Sequence, residues 1–263
     1  MTKISGTTRV FAILADPIHH VQTPQAVNEV FQAEKLDAAM IPIHVKQEHL
    51  QRLVDGLRGI QNLDGFVVTV PHKRAMAALC DQLTPAAARI GAVNVVRRTA
   101  AGALLGGMLD GEGFVAGLRS QGLEVTGRRI YIAGAGGAAS AIFHAVAQAG
   151  ASHVTVANRT SSKADELVSR MRQAFPAVSM SVGTPDAGGH DIVVNATSLG
   201  MHAGDALPLD PGSLDRGQTV AEIIMQPEQT PLLAEAKRRG CRIQYGAPML
   251  RCQLELMTGF MRQ

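Results

Sequence analysis

The stretch RIYIAGAGGAASAIFHAVAQ, residues 129–148, carries the pattern that decides the fold. Its apolar start is typical of a buried strand, the run GAGGAA turns the chain, and the apolar remainder has the length of a helix. In such a GxGxxA pattern Gly134 permits a tight turn, Gly136 lets a pyrophosphate approach the backbone, and the small Ala139 lets helix and strand pack closely. The N-terminus of the helix offers free N–H groups to phosphates. The stretch therefore predicts a dinucleotide-binding α/β unit.

The end of the next predicted strand, Val154–Ala157, indicates which dinucleotide binds. Sites for NAD usually place an acidic residue about 20 residues on, against the ribose 2′-hydroxyl. This chain has Asn158, Arg159 and Thr160 there, with Lys163 one helical turn later. A guanidinium can bind a 2′-phosphate with two hydrogen bonds, so these residues favour NADP over NAD. Alternatively, the arginine is a solvated loop charge and the threonine a helix N-cap, and either role is compatible with phosphate binding.

Short apolar runs alternate with helical patterns in two series along the chain. The predicted strands are Val10–Leu14, Met40–Ile43, Gly65–Val70, Ala92–Arg97, Ile130–Ala133, Val154–Ala157, Ile192–Asn195, Thr219–Ile224 and Arg242–Tyr245. Between the series, residues 106–127 are expected to hold no strand and one helix. This alternation predicts an α/β protein of two domains, each with a mostly parallel sheet. We expect one domain over 1–109 plus 246–263 and the other over 110–245, the last helix packing back on the first domain.

Composition excludes several classes of protein. Among 263 residues, 46% are hydrophobic and 18% charged, which is typical of a globular domain. The net charge of +3, the absence of Trp and the 3% of aromatics argue against a nucleic-acid partner. Three cysteines without CxxC spacing favour reduced thiols in the cytoplasm and no metal site. No stretch reaches the roughly 18–20 apolar residues of a membrane span, so we expect neither a membrane partner nor a leader. A small-molecule substrate is expected, and monomer and homodimer both stay open.

Three polar residues stand in settings where chemistry can occur. VTVPHK places Lys73 just past a predicted strand, where open α/β sheets build their sites. GAVNV places Asn94 within an apolar segment, where a buried amide needs partners. LDGEG places Asp110 at the junction of the two series. Alternatively, the lysine is a surface residue that starts a helix, and the aspartate is a loop residue.

Nine fragments in a fixed order carry a family resemblance. They are DPIHHVQTP, TVPHK, GAVN, DG, GAGGAA, NRTSSK, NATSLGM, PEQTPLL and GAPMLRCQ. With them the sequence resembles the shikimate dehydrogenase family through nearly the whole chain. The resemblance implies an N-terminal substrate domain and a C-terminal Rossmann-type NADP domain. It also implies reversible reduction of 3-dehydroshikimate to shikimate by NADPH, and a role in aromatic amino acid biosynthesis.

The resemblance also implies roles for single residues. Lys73 and Asp110 correspond to a catalytic pair that handles the proton, and a tuned lysine suits proton transfer in both directions. The positions implied for the substrate are Val21, Thr23, Thr69, Asn94 and Gln253. The positions implied for NADP are Gly134, Gly136, Gly137, Ala138, Asn158, Arg159, Thr160, Lys163, Thr197, Gly246 and Met249.

The sequence departs from the family at the expected substrate carboxylate. A Ser-x-Ser-Pro element is usual there, and this chain has Val21, Gln22, Thr23 and Pro24. The valine cannot hydrogen-bond, and losing a bond to a carboxylate costs about 1.5–3 kcal/mol unless another group replaces it. The candidates for replacement are His19, His20 and Gln22, although the usual explanation of such a histidine pair is that one ring is packed and the other is solvated. No carboxylate accompanies the histidines at metal-ligand spacing, so no metal is expected.

The sequence departs from the family at two further positions and is compatible with three functions. Met225 stands where the family has a tyrosine, and Met108 or Leu109 where it has an asparagine. The leading hypothesis is an NADP-dependent shikimate dehydrogenase. A dehydrogenase of quinate or another cyclic hydroxy acid is the alternative enzyme, with biosynthetic and catabolic use both open. A non-catalytic sensor of NADP or a metabolite is less favoured, because a sensor has no need of Lys73 and Asp110.

Overall fold

The computed structural model describes residues 4–19 and 21–262. His20, one of the candidates beside the expected substrate carboxylate, lies outside the described residues. The chain divides into two compact units, one from its start to Leu109 together with the residues from Leu254 onward, the other from Asp110 to Gln253. Both units are built from helices and strands in alternation.

The first unit holds a mixed sheet of six strands. Its elements are β1 (Arg9–Ala15), α1 (Thr23–Ala33), β2 (Ala38–His44), α2 (Leu50–Arg58), β3 (Leu63–Val68), α3 (Lys73–Leu79), β4 (Gln82–Leu83), α4 (Pro85–Ile90), β5 (Val95–Arg98) and β6 (Leu104–Gly107). The strand order is β2-β1-β3-β5-β6-β4, and β5 runs antiparallel to both of its neighbours. The other three pairs are parallel, so β5 is the one reversed strand and the prediction of a mostly parallel sheet is confirmed for this unit.

Strand β6 overlaps the region that was expected to contain none. Its sequence, Leu-Leu-Gly-Gly, conceals a strand because two glycines lower strand propensity. Close packing explains both glycines. A Cβ at Gly106 would lie 2.8 Å from Cys80 Sγ, and one at Gly107 would lie 3.0 Å from Phe260 Cζ.

The second unit holds a six-stranded sheet in which all neighbours are parallel. Its elements are α5 (Asp110–Ser120), β7 (Arg129–Ala133), α6 (Gly137–Gln148), β8 (His153–Ala157), α7 (Ser161–Ala174), β9 (Ser179–Val182), β10 (Ile192–Asn195), β11 (Thr219–Glu222), α8 (Pro231–Arg238) and β12 (Arg242–Gln244). The strand order is β9-β8-β7-β10-β11-β12. This is the Rossmann order, because β7, β8 and β9 extend the sheet in one direction and the chain then returns to place β10, β11 and β12 on the other side of β7. The predicted α/β fold with a Rossmann-type unit is confirmed.

The apolar strands of this sheet are buried on both faces. Tyr131, Val193 and Val220 are fully buried, and Leu232 and Leu233 of α8 pack against the same cluster. Such strands read as continuous apolar runs, which is why the sequence reveals them. A last helix, α9 (Ala247–Arg262), contributes residues to both units. No helix in the described ranges has both the length and the apolarity to cross a membrane.

The topology of the second sheet places a ligand crevice at a definite edge. From β7 the chain proceeds to β8 on one side, and β10 and β11 follow on the other side. Ligands of open α/β sheets bind outside the carboxyl ends of the strands at this reversal. The turns that follow β7, β8 and β10 are therefore the candidate dinucleotide site.

Candidate functional site

The glycine-rich turn after β7 has the backbone that the sequence predicts. Gly134 has a φ of +114°, and a Cβ there would lie 2.8 Å from the carbonyl oxygen of Ala196. A Cβ at Gly136 or Gly137 would meet no other described atom within 4 Å, so space is open on that side of the turn. Gly136 is the N-cap of α6, and no side chain caps the helix. Backbone N–H groups are thus available beside open space, which suits a pyrophosphate.

The chain after β8 lies against the same turn. The Gly134 N–H donates to the carbonyl oxygen of Ala157 at 2.7 Å, and Asn158 Nδ2 donates to the carbonyl oxygen of Thr160 at 2.9 Å. Arg159 and Lys163 are exposed and form no ion pair within residues 4–19 and 21–262. Thr160 occupies the N-cap position of α7 without a capping hydrogen bond from its side chain. Two cationic groups therefore remain available for a phosphate at this edge.

Thr197 completes the candidate dinucleotide site from the turn after β10. Its N–H and hydroxyl both donate to Asn195 Oδ1, at 3.0 and 2.7 Å. The methyl group of Thr197 would lie 3.1 Å from a Cβ at Gly134, so the two turns are in close proximity. Asn195 in turn is bound by Glu222, which the sequence analysis missed. The available signal was an acidic residue within the apolar run TVAEII.

Asp110 is the first residue of α5 and is buried. Its Oδ1 accepts a hydrogen bond from Gln253 Nε2 at 2.5 Å. The interpretation of Asp110 as a loop residue is wrong, because the residue belongs to a helix. The structure thus joins a residue expected to act in catalysis directly to one expected to bind the substrate.

Three glycines of α5 explain how Asp110 is placed. A Cβ at Gly111 would lie 2.0 Å from the carbonyl oxygen of Ala141, so α5 and α6 are in backbone contact. A Cβ at Gly113 would lie 2.8 Å from Gln253 Cβ. A Cβ at Gly117 would lie 2.8 Å from the backbone N of Met249. The side chain of Gln253 reaches Asp110 because glycine lets α9 approach α5.

Gly246 and Met249 lie at the start of α9. A Cβ at Gly246 would lie 2.5 Å from the carbonyl oxygen of Ile224, so the chain passes close to the end of β11. Met249 is buried. Met225, which stands in place of the family's tyrosine, has its sulfur 3.1 Å from the same Cβ position.

In the first unit, three of the expected site residues meet at the carboxyl end of β3. Thr69 directly follows this strand, and Lys73 is the half-buried first residue of α3. The Lys73 carbonyl accepts from the Val93 N–H at 2.8 Å, and the Val68 N–H donates to the Asn94 carbonyl at 2.8 Å. These backbone bonds bring Thr69, Lys73 and Asn94 to one sheet edge. Lys73 belongs to the first unit and Asp110 to the second.

Asn94 has the buried amide that its apolar setting predicts. The residue is 1% exposed, and its Oδ1 accepts from the Leu109 N–H at 2.9 Å. Met108, the preceding residue, is likewise buried. The asparagine therefore contributes to the structure of the chain just before Asp110.

His72 is a supporting residue that the sequence analysis missed. Its ring is fully buried, and Nε2–H donates to the carbonyl oxygen of Val45 at 2.8 Å. This bond ties the first turn of α3, where Lys73 lies, to the chain after β2. A histidine between Pro71 and Lys73 is the only sequence signal for it.

The altered carboxylate element follows β1. Val21 and Thr23 are partly exposed, and the Val21 N–H donates to the carbonyl oxygen of Ile18 at 3.0 Å. The Asp16 N–H donates to the Val70 carbonyl at 3.2 Å, so the chains after β1 and β3 are neighbours. Gln22 and His19 are exposed. Across residues 4–19 and 21–262, no group of three or more His, Cys, Asp or Glu residues has the arrangement of a metal site.

Family models match both parts of the chain. The shikimate dehydrogenase substrate-binding domain matches residues 13–96, and the shikimate/quinate 5-dehydrogenase model matches residues 118–202. These matches cover more than half of the chain.

Individual proteins are similar over nearly the full length. A shikimate dehydrogenase (NADP(+)) of Rubrobacter xylanophilus is 40% identical over 94% of this chain and 88% of its own length. A Thermus thermophilus shikimate 5-dehydrogenase, solved with NADP(H) and shikimate, superposes with a TM-score of 0.88 at 30% identity, covering 97% and 93% of the two chains. A 5-ketofructose reductase of a Gluconobacter strain superposes with a TM-score of 0.89 at 32% identity, covering 98% and 94%.

Proposed function

The chain belongs to the shikimate dehydrogenase family, and from that premise we propose that it is an NADP-dependent shikimate dehydrogenase. It interconverts shikimate and 3-dehydroshikimate by hydride transfer. In this proposal the first domain binds the substrate and the second binds NADP. The observation that carries the proposal is the buried hydrogen bond between Asp110 and Gln253, in the unit that also holds the open glycine-rich turn.

Proton transfer falls to Lys73 and Asp110 in the proposed reaction. NADPH, when bound, supplies the hydride that reduces the ring ketone. The Lys73 ammonium donates a proton to the ketone oxygen, and in the reverse direction its amine accepts the hydroxyl proton. Asp110, whose carboxylate accepts a hydrogen bond from Gln253, is the proposed partner of the lysine in this proton transfer. Thr69, Asn94, Gln253 and Thr23 are the proposed ligands of the ring substituents.

The residues at the second sheet edge fit an NADP molecule. The N–H groups after Gly134, together with Gly136, Gly137 and Ala138, would hold the pyrophosphate. Arg159, with Thr160 and Lys163, would hold the 2′-phosphate, because a guanidinium matches its geometry. Further proposed contacts of the dinucleotide are Asn158, Thr197, Gly246 and Met249.

Steady-state kinetics of the purified protein test this proposal. We expect shikimate-dependent reduction of NADP⁺, which falls by about two to four orders of magnitude in Lys73→Ala and Asp110→Ala, since general acid–base catalysis contributes roughly 10²–10⁴-fold. Lys237→Ala, an exposed lysine of α8, is the matched control and should keep wild-type turnover. Near-full turnover in both site variants would remove the pair from the mechanism.

A second candidate function follows from Val21. The usual serine hydroxyl for a substrate carboxylate is absent there, and a 5-ketofructose reductase, whose named substrate is a keto sugar without a carboxylate, is 32% identical to this chain. The second candidate is therefore the NADPH-dependent reduction of an uncharged polyhydroxy ketone. Quinate remains the alternative among carboxylate substrates.

One kinetic panel separates these substrates. Shikimate and quinate are each assayed with NADP⁺ and NAD⁺, and 5-ketofructose with NADPH and NADH. A kcat/KM highest for shikimate with NADP⁺ supports the leading proposal. A value for the keto sugar that exceeds both acids would replace it by the second candidate.

A further inference from the structure

Glu222, the last residue of β11, is a buried carboxyl group to which the proposed reaction assigns no role. The residue is 0% exposed. Its Oε1 accepts from Asn195 Nδ2 at 2.9 Å and from Thr230 Oγ1 at 2.8 Å. The carboxyl group thus joins the ends of two adjacent strands to the N-cap of α8.

The surroundings of Glu222 do not resemble a salt bridge. Burial raises the pKa of this carboxyl group, and hydrogen bonds from Asn195, from Thr230 and from the backbone N–H groups of Ile224 and Ile223 offset the rise only in part. Within the described part of the chain, no Lys, Arg or His forms an ion pair with it. A buried acid of this kind acts as a hydrogen-bond acceptor rather than as a charge.

Through Asn195, Glu222 holds the turn that follows β10. Asn195 Nδ2 also donates to the carbonyl oxygen of Leu199 at 3.0 Å, and its Oδ1 accepts both donors of Thr197. The Thr197 hydroxyl accepts in turn from the Leu199 N–H at 3.0 Å. The turn is closed on itself by these bonds, and Glu222 fixes it to β11 and α8.

The turn after β10 packs directly against the glycine-rich turn at Gly134. The Ala196 N–H donates to the Ala133 carbonyl at 2.9 Å. The Ala196 carbonyl and the Thr197 methyl lie 2.8 and 3.1 Å from the Cβ position of Gly134. Because there is no free space between the two turns, a shift of one displaces the other.

We propose that Glu222 is a positioning residue for the dinucleotide, which holds Asn195 and Thr197 in place against Gly134 and so keeps the NADP site preformed. The inference rests on the proposed NADP-dependent function. It assigns a role to Glu222 in cofactor affinity, with no contact between Glu222 and the cofactor or substrate.

Binding of NADPH without substrate tests the inference. The chain contains no Trp, so the fluorescence of NADPH itself reports binding. Glu222→Met keeps a straight chain of similar volume and removes the acceptor, whereas Glu222→Gln keeps one carbonyl oxygen for Asn195 and Thr230. We expect the Kd for NADPH to rise about tenfold or more in Glu222→Met and to stay within about twofold of wild type in Glu222→Gln.

Gln218→Leu is the matched control. Gln218 directly precedes β11 at the opposite end of the strand, is buried, and donates to the carbonyl oxygens of Ala187 and His190 at 2.8 and 3.0 Å. Its loss should lower the Tm and leave the Kd for NADPH unchanged. A role of Glu222 in stability alone would give Glu222→Met and Gln218→Leu the same Kd.

Hydrogen exchange of the turn provides a second measurement if Glu222→Met is too unstable for titration. The amides of Thr197 and Leu199 should exchange faster in Glu222→Met than in Gln218→Leu, and in Glu222→Gln they should exchange at the wild-type rate because the acceptor for Asn195 is kept. Wild-type affinity in Glu222→Met, or no rescue in Glu222→Gln, would overturn the inference while the proposed function stands. A wild-type protein that does not bind NADPH would overturn both.

Discussion

Replacement of Gly113 by alanine is the most direct test of how the structure places Gln253 against Asp110. The new methyl group would lie 2.8 Å from Gln253 Cβ and 3.2 Å from its Cα. Ordinary contact begins at 3.4 Å, so α9 has to move by about 0.6 Å or more relative to α5. The hydrogen bond of 2.5 Å from Gln253 to Asp110 lengthens or breaks as a result.

Two opposing terms set the magnitude for Gly113→Ala. Overpacking of a well-packed contact costs about 1–3 kcal/mol. Alanine in place of glycine within a helix returns about 1 kcal/mol. The net destabilisation is therefore about 0–2 kcal/mol, or a fall in Tm of at most about 8 °C at roughly 2–4 °C per kcal/mol. A misplacement near 1 Å costs about a hundredfold in rate, so we expect kcat/KM for shikimate to fall about tenfold to a hundredfold.

Gly259→Ala is the matched control for Gly113→Ala. It also replaces a glycine within a helix, and its Cβ would meet no described atom within 4 Å. Its Tm should rise, with kcat/KM unchanged, because only the helix propensity changes. Thermal unfolding and steady-state kinetics of both variants are the assay. If Gly113→Ala gains stability as Gly259→Ala does and keeps wild-type kcat/KM, the close approach of α9 does not position Gln253.

Three further predictions concern the cofactor, the substrate and pH. Arg159→Ala should raise the KM for NADP⁺ about tenfold to a hundredfold, because a charge-assisted hydrogen bond contributes about 1.5–3 kcal/mol. It should leave the KM for NAD⁺ unchanged, and equal effects on both cofactors would show that Arg159 does not bind the 2′-phosphate. Val21→Ser should raise kcat/KM for shikimate about tenfold and leave that for an uncharged polyhydroxy ketone unchanged, and a lack of any gain in steady-state assays would show that another group already binds the carboxylate. Burial raises the pKa of Glu222 in the folded protein above its ordinary value of 4.5. The protonated carboxyl group therefore contributes to the stability of the fold below pH 4.5, and this stabilisation is lost as the pH rises through the folded-state pKa. The Tm of Glu222→Gln relative to wild type should therefore increase from pH 4 to pH 8, and a constant difference would contradict the buried-acid assignment.

The parts of the fold that the sequence predicts are those with both faces buried. The buried stretches of β7 (Ile130–Ala133) and β10 (Ile192–Val194) are continuous in apolar residues, as is typical of parallel strands that are covered on both faces. The strands that escape prediction lack this pattern. Strand β4 has only two residues, and β9 has the polar sequence Ser-Met-Ser-Val. Their pairing depends on neighbouring strands rather than on their own residues.

The same division holds for the candidate site. The turn at Gly134 was predictable because its backbone needs a positive φ and little bulk, which only glycine provides. The hydrogen bond between Asp110 and Gln253 joins residues 143 positions apart, and no local pattern encodes it. The buried junction at Glu222 was likewise invisible, because a lone acidic residue in an apolar run has no signature of its partners.

Helix α5 shows how the fold gives up local stability to place a functional group. Three glycines within eleven residues lower its helix propensity by about 1 kcal/mol each. Each of them has a tertiary cause, since Gly111 admits α6 and Gly113 and Gly117 admit α9. The helix is therefore held by its neighbours and not by its own propensity, and its first residue is Asp110. A helix that has glycine at successive turns, each explained by close packing against a neighbouring helix, is held in place for a reason other than its own stability. The residue that this packing positions, here Asp110, is therefore the one to test for function.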